Sequence, residues 1–383
     1  MSFSVVRGGP FRRLLGVLRL ARDDGRDAWR QTLALVTITW APLVALAIVQ
    51  SLATHQRNML LLDPAVHAHL LLSVPLLVVA EQVMHARSER CMERFVQSGL
   101  VSGGAAAIQR VVARGTTLRD AAFPEAALAI AALAAGQASL WGLVSPFGLR
   151  SLVGLAATPS AARLWWAIVA LPLAQFLLYR SLWRWAIWSV VLWGLASVDV
   201  RPVALHPDRR GGLSFLGEPT LGFAIVVMSV DCSVAGGWGR QMIFDHLPLK
   251  SWALPFSEIV LSSFIVALGP LCVFSRCMWR ARFAAVRQYD TFALTYARLF
   301  HQKWIDLGDT QNLLGTADIQ SMADLANTLA IVRGMRLVPF GLYEIVVLLA
   351  AIWLPMLPLF LATVPLHELL RRVLGVFVGA ALG

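Results

Sequence analysis

The densest group of chemically active side chains lies in the stretch LHPDRRGGLSFL at 205–216, where His206, Asp208, Arg209 and Arg210 stand beside the glycine pair Gly211 and Gly212. Guanidinium groups next to backbone amides freed by glycine can cradle a phosphate, so one chemistry open to this loop is anion or lipid-headgroup binding. A gate is the second, the two glycines absorbing changes of dihedral angle. A sharp turn carrying solvated charges is the third. Asp231 and Glu258 fall near the outer ends of two predicted spans, where a solvated or hydrogen-bonded end residue is the plain reading; together with Asp245 they could instead form an acidic outer mouth that draws cations toward a pore. Toward the inner side Arg180 and Arg184 interrupt a long apolar run, and Glu344 is placed to pair with either as an inner clamp.

Other chemistry is poorly served. Cys91, Cys232, Cys272 and Cys277 form no CxxC or Cys/His spacing, which predicts buried reduced thiols and no metal. There is no HExxH, no GxSxG turn and no carboxylate pair at catalytic depth, so neither a catalytic residue nor a cofactor is predicted. Ionisable groups inside a membrane are functional by default, and here they are scarce: 32–53, 126–144 and 221–230 contain none. His67 and His69 come nearest, at the start of a span. A proton-coupled carrier needs a carboxylate or histidine deep in its bundle, whereas a channel does not, so the sequence favours a passive conduit over a carrier.

The elements that must position these residues are long apolar runs, the cleanest at 32–53, 123–144, 254–274 and 341–362. Each matches the roughly 20 residues that a helix needs to cross a bilayer core. A chain that is 58% hydrophobic and 14% charged is excluded from the ordinary soluble class, in which about 25% of residues are charged. The formal charge of +11 would suggest nucleic acid, but 31 of the 33 basic residues are arginines lying between apolar runs, where they act as topology signals. The predicted fold class is all-α, a polytopic helical membrane protein of about seven transmembrane helices, with long helices extending into a cytoplasmic helical layer.

Seven arginines between Arg7 and Arg30 place the amino terminus in the cytoplasm, with no cleavable signal ahead of the first span. Within residues 1–30, Phe11, Leu14, Leu15 and Leu18 recur at helical spacing, which suits a basic amphipathic helix on anionic lipid, a solvated tail being the alternative. Residues 31–275 form the transmembrane bundle with cytoplasmic loops at 85–122 and 201–213. The run 164–200 reads as one helix, because two spans would turn the arginine-rich 276–336 outward. Its second half is expected to project beyond the inner leaflet, with Trp183, Trp185, Trp188 and Trp193 near the interface. Residues 276–340 give a cytoplasmic helical hairpin, with Val286, Tyr289, Ala293, Tyr296 and Phe300 on one face and Ile319, Met322, Ala326, Leu329 and Ala330 on the other. The final segment, 341–383, holds the last span, interrupted by Pro355 and Pro358, and an interfacial helix at 366–378.

Two stretches, LHPDRRGGLSFLG at 205–217 and LLGTADIQSMADLANTLAIVRGMRLVPF at 313–340, resemble a family of multi-pass bacterial inner-membrane proteins with no assigned activity. The resemblance covers about a tenth of the chain and implies a bacterial inner membrane and a multi-pass helical fold. It suggests that the His206 loop and the helix after Thr316 belong to one design. The functional expectation is a homo-oligomeric ion channel or passive conduit in contact with anionic lipid and ions. A non-conducting scaffold that binds a partner through its cytoplasmic helices is the alternative, and a lipid-acting membrane enzyme the third.

Overall fold

The structure, a computed structural model, describes residues 8–17, 28–55, 59–140, 160–306 and 317–363. The predicted interfacial helix 366–378, the external segment 145–159, and the parts of the amino-terminal segment and hairpin connection at 1–7, 18–27 and 307–316 lie outside them. Among the described residues there is no strand, only an isolated antiparallel bridge between Val101 and Val200.

The helices in chain order are α1 (Pro10–Val17), α2 (Ala28–Thr39), α3 (Ala41–Thr54), α4 (Pro64–Gln97), α5 (Gly104–Asp120), α6 (Ala122–Leu140), α7 (Ala161–Ala196), α8 (Thr220–Phe244), α9 (Ala253–Leu268), α10 (Ser275–His301), α11 (Ala317–Arg333), α12 (Leu342–Trp353) and α13 (Leu357–Thr363). Among the described residues six stretches are long and apolar enough to cross a membrane, and the α5–α6 pair, bent by 42° at Ala121, makes a seventh if counted as one span. This is an all-α polytopic membrane architecture.

Close backbone contacts set the packing. On α8, a Cβ at Gly222 would overlap Met84 of α4, and one at Gly236 would sit 2.7 Å from the Ala68 Cβ and 3.0 Å from the Ala65 Cα. Small residues therefore let α8 and α4 run antiparallel at short range, the usual device where lipid offers no hydrophobic drive to pair helices. On its other side α8 runs parallel to α12: Glu344 lies against Gly217, and Met356 and Leu359 pack on Ala235. The glycines 236, 237 and 239, a grouping that would break a helix in water, are helical here, and the helix runs on to Phe244. Their low helix propensity, about 1 kcal/mol each, is offset by this packing.

The 36-residue α7 is one unbroken helix, and α6 and α5 lie along it, with Gly136 against the Ala167 carbonyl and Gly194 against Val111. That cover sets the exposure of the four tryptophans in the second half of α7. Trp185 and Trp188 are buried and Trp183 half-buried; among the four Trp193 alone is strongly exposed.

Beyond α9 the chain passes through a tight 3-10 stretch, Gly269–Phe274, before α10. Pro270 has no N–H to offer the carbonyl four residues earlier, that of Val266, and the Trp185 indole Nε1 donates to this oxygen at 2.8 Å. Cys272, within this stretch, is exposed and Cys277 half-buried, so only Cys91 and Cys232 match the expected buried thiols. The helices α10 and α11 pack antiparallel: Tyr296 donates to the Asp318 carbonyl, Lys303 pairs with Asp318 at 2.5 Å, and Arg333 pairs with Asp290 at 2.8 Å. Replacing Trp185 with Phe is expected to cost about 1–3 kcal/mol by orphaning the Val266 carbonyl, read as a lowered thermal midpoint in detergent.

Candidate functional site

One face of α8 carries Gly222, Val226, Ser229, Ser233, Gly236 and Arg240, spaced by three or four residues, and this face meets α4. Between the two glycine contacts lies a polar seam. Ser73 Oγ and Ser229 Oγ share a hydrogen bond at 2.6 Å, Ser229 Oγ also reaches the Ser73 carbonyl at 3.0 Å, and His69 Nδ1 bonds Ser233 Oγ at 2.8 Å. At its end Arg240 Nε pairs with Asp63 at 3.1 Å, and Asp63 caps the first turn of α4 through the Ala65 amide. His69 and Ser73 belong to a π-helical stretch, Ala68–Ser73, and the His69 ring lies 5.9 Å from that of Trp166 in a second π-helical stretch, Trp166–Ala170. Such widened turns recur at functional sites. His67 serves the structure instead, since its Nδ1 accepts from the Trp40 indole at 3.1 Å, which leaves Nε2 to donate to the Leu61 carbonyl at 2.9 Å.

Asp231 lies on the opposite side of α8, two residues and hence about 200° from Ser229 and from Ser233. It is fully buried, and among the described residues neither carboxylate oxygen has a hydrogen-bond partner. This corrects the acidic outer mouth. Because α8 continues to Phe244, Asp231 falls nine residues before Arg240 and thirteen after Glu218, roughly 14 and 20 Å along the axis, while Asp245 and Glu258 are exposed. The three carboxylates do not form a shared ring. The expectation that no carboxylate or histidine lies deep in the bundle is overturned with it, since Asp231 and His69 both do.

The second cluster is self-cancelling. Arg180 pairs with Glu81 of α4 and, through Nε at 3.3 Å, with Glu125 of α6; Arg184 Nη2 pairs with the same Glu125 oxygen at 2.6 Å. Arg180 and Arg184 are thus clamped, but by Glu81 and Glu125 and not by the expected Glu344. Glu344 lies elsewhere because it stands in the first turn of α12 and folds back to accept from the Gly341 amide at 2.7 Å, with Arg210 at 3.9 Å. Residues 8–17 dock into the clamp: Arg184 Nη2 donates to the Gly8 carbonyl, the Phe11 amide donates to Glu125, and the Phe11 ring packs on Phe176 beneath the Arg180 guanidinium. Gly9, at φ +89, leaves no room for a side chain, since a Cβ there would sit 2.6 Å from Glu125.

In the 205–216 loop the cradle formed by backbone amides is occupied by the loop's own acid. Asp208 accepts from the amides of Arg210 at 2.7 Å, Gly212 at 3.1 Å and Ser214 at 3.3 Å, and from His206. Burial pushes the Asp208 carboxyl up, but the amide hydrogen bonds and His206 outweigh it and hold the group below the usual carboxylate range. Positive φ at Arg209, Gly211 and Gly212 shapes the turn, and packing fixes it: Gly211 lies against Pro202 and Met335, and the Arg209 carbonyl accepts from the Arg336 amide at 2.7 Å. The loop thus braces the end of α11, the start of α12 and, through the Arg201 amide on the Leu100 carbonyl, the α4–α5 turn. The amides of Arg210, Gly212 and Ser214 are already used, which weakens the support for a phosphate cradle.

Sequence reasoning missed Ser73, Ser229, Ser233, Asp63, Arg240, Glu81 and Glu125; the three-or-four spacing of small and polar residues at 222–240 was the available signal for the seam. No family model, curated protein or solved structure matches this chain.

Asp208→Asn is expected to lower stability at neutral pH, and the gap to wild type should close as acid is added. A depressed carboxyl stabilises the fold above its ordinary range and loses that contribution as pH falls through its folded value. Thermal melts at several pH values check this. Gly9→Val is expected to lower the melting point by the equivalent of about 1–3 kcal/mol through backbone strain and displacement of the docked segment, measured the same way.

Proposed function

We propose that this chain is an ion-translocating protein of a bacterial inner membrane, with a cytoplasmic amino terminus and a homo-oligomeric assembly, in which Asp231 is the group that exchanges the ion. The observation that carries this is a carboxylate in the middle of a spanning helix, fully buried and without a donor to either oxygen. Its charge has to be discharged by a proton or a cation, and groups kept in membranes at that cost mark ion and proton pathways. The His69–Ser233 and Ser73–Ser229 pairs, on the opposite side of α8 toward α4, supply a second row of groups able to accept and pass protons.

In this reading the α10–α11 pair is the cytoplasmic layer, its arginines facing anionic headgroups. It connects to the bundle through Arg336 on the Arg209 carbonyl and through Arg210 beside Glu344, at the starts of α8 and α12. Displacement of that layer acts on conduction through those contacts. The resemblance in 205–217 and 313–340, two stretches that touch here, supports the bacterial assignment.

A second reading has its own observation. Trp279, Phe283, Phe292, Leu294 and Leu299 of α10 are exposed, and an apolar surface in a cytoplasmic layer suits a partner or a second copy, as a scaffold would use it. A lipid-acting enzyme has less to rest on, since the Asp208 carboxylate is consumed by its own loop.

Ion flux through purified protein in liposomes separates the first two. Asp231→Asn is expected to reduce flux at least ten-fold and Glu258→Gln to leave it unchanged. No flux from wild type at any voltage or pH would transfer the case to the scaffold.

A further inference from the structure

Resting on that reading, we infer that the species exchanged at Asp231 is a proton and that the site holds no metal cation. The surroundings of the carboxylate decide between the two. A hard cation in a protein takes about six or more oxygen ligands, and a single carboxylate with no hydrogen-bonding group on either oxygen and, among the described residues, no cluster of acids around it falls far short. One turn to either side of Asp231 along α8 stand Val227, Met228, Val234 and Ala235, all apolar, and Ala235 packs on Met356 and Leu359. The nearest hydroxyls in sequence, Ser229 and Ser233, point to the opposite side of the helix and are taken by Ser73 and His69.

Among the described residues, neighbouring elements bring no second acid or histidine to it. On α4, His69 faces Ser233 and Glu81 pairs with Arg180; on α7, Arg180 and Arg184 are occupied in their cluster; α12 has only Tyr343 and Glu344, in its first turn beside Gly217 and Arg210; on α9, Glu258 is exposed; α13 has no ionisable residue. On α8 itself Cys232 is adjacent and Arg240 pairs with Asp63, while Glu218, just ahead of the helix, pairs with Arg87 and Arg94. Among the described residues no three His, Cys, Asp or Glu side chains gather where they could hold a metal. A proton is the one ion that discharges a carboxylate with a single bond and no further ligands, which is what an apolar site can accept at modest cost.

Dicyclohexylcarbodiimide tests this without depending on flux. The reagent is neutral and apolar and partitions into the bilayer. A protonated carboxyl gives its proton to one carbodiimide nitrogen while its oxygen bonds to the central carbon; the acyl group then shifts to nitrogen, leaving a stable N-acylurea that retains every atom of both reactants. With the full chain in liposomes, the peptide containing Asp231 is expected to gain the mass of one carbodiimide, and labelling should fall as pH is raised. Replacing choline with sodium, potassium or calcium at constant pH and ionic strength should change it less than two-fold. Asp231→Asn should abolish the label and Asp231→Glu, which keeps a carboxyl, should retain it.

Protection by any of the metal cations, or absence of label at every pH, overturns the proton assignment. Labelling with this pH dependence in a chain that passes no ions removes the conduit reading and leaves the proton site standing. Flux lost in Asp231→Asn but with sodium protecting the label keeps the conduit and overturns the proton.

Discussion

The close approach of α8 to α4 is the constraint on which the rest of the molecule depends. Gly222 and Gly236 bring the two backbones together at two levels, and everything between them is held at a separation where serine hydroxyls can meet directly across the interface. Individual hydroxyl pairs in membranes contribute only about 0.6 kcal/mol, so the seam does not hold the helices together by its hydrogen bonds. Packing sets the distance, and the distance makes the polar contacts possible. Because α8 is thereby fixed on one side, its opposite side is free to carry a different chemistry toward α12, and Asp231 stands there.

The fold was legible where the signal is composition and length, and illegible where it is a contact between distant residues. Apolar runs announce spans because every backbone polar group in lipid must be satisfied within a helix, and α7 could be read as a single helix because arginine bias forbids the alternative. The end of α8 was misread because Gly236, Gly237 and Gly239 signal a break in water, while in a bundle they signal close packing. The direction of that error moved Asp231 from mid-span to the mouth. Glu81 and Glu125 escaped notice for another reason: each sits at the edge of an apolar run, where a carboxylate is cheap, and only the approach of Arg180 and Arg184 gives them a role. In the loop at 205–216 the residue types left a cradle, a gate and a plain turn open, and sequence could not show that Asp208 takes the loop's own amides.

Two buried sites in one bundle solve the problem of charge in opposite ways, and the contrast is informative. Around Glu125, two arginines and two glutamates neutralise one another, and the amide of Phe11 and the carbonyl of Gly8 take up further bonding capacity. Breaking such a set by removing one member leaves an uncompensated charge at a cost of about 3–5 kcal/mol, so the cluster favours a single arrangement and resists exchange. It also ties the amino-terminal segment to the centre of the bundle, which a solvated basic tail would not do.

Asp231 has no such partners, although the chain shows that it can supply them: arginines reach Asp63, Glu81, Glu125 and Glu218 from neighbouring turns or helices. A structural carboxylate at this depth would be less costly with a donor, and substitution by leucine or asparagine would be less costly still. What a donor would remove is the ability of the group to take up and give away an ion, because a fixed guanidinium holds the carboxylate in one charge state. The lack of a partner is therefore the feature that distinguishes Asp231 from the other buried acids. It directs the functional reading of this bundle to the side of α8 that faces α12, away from the polar seam that a search for hydrogen bonds finds first.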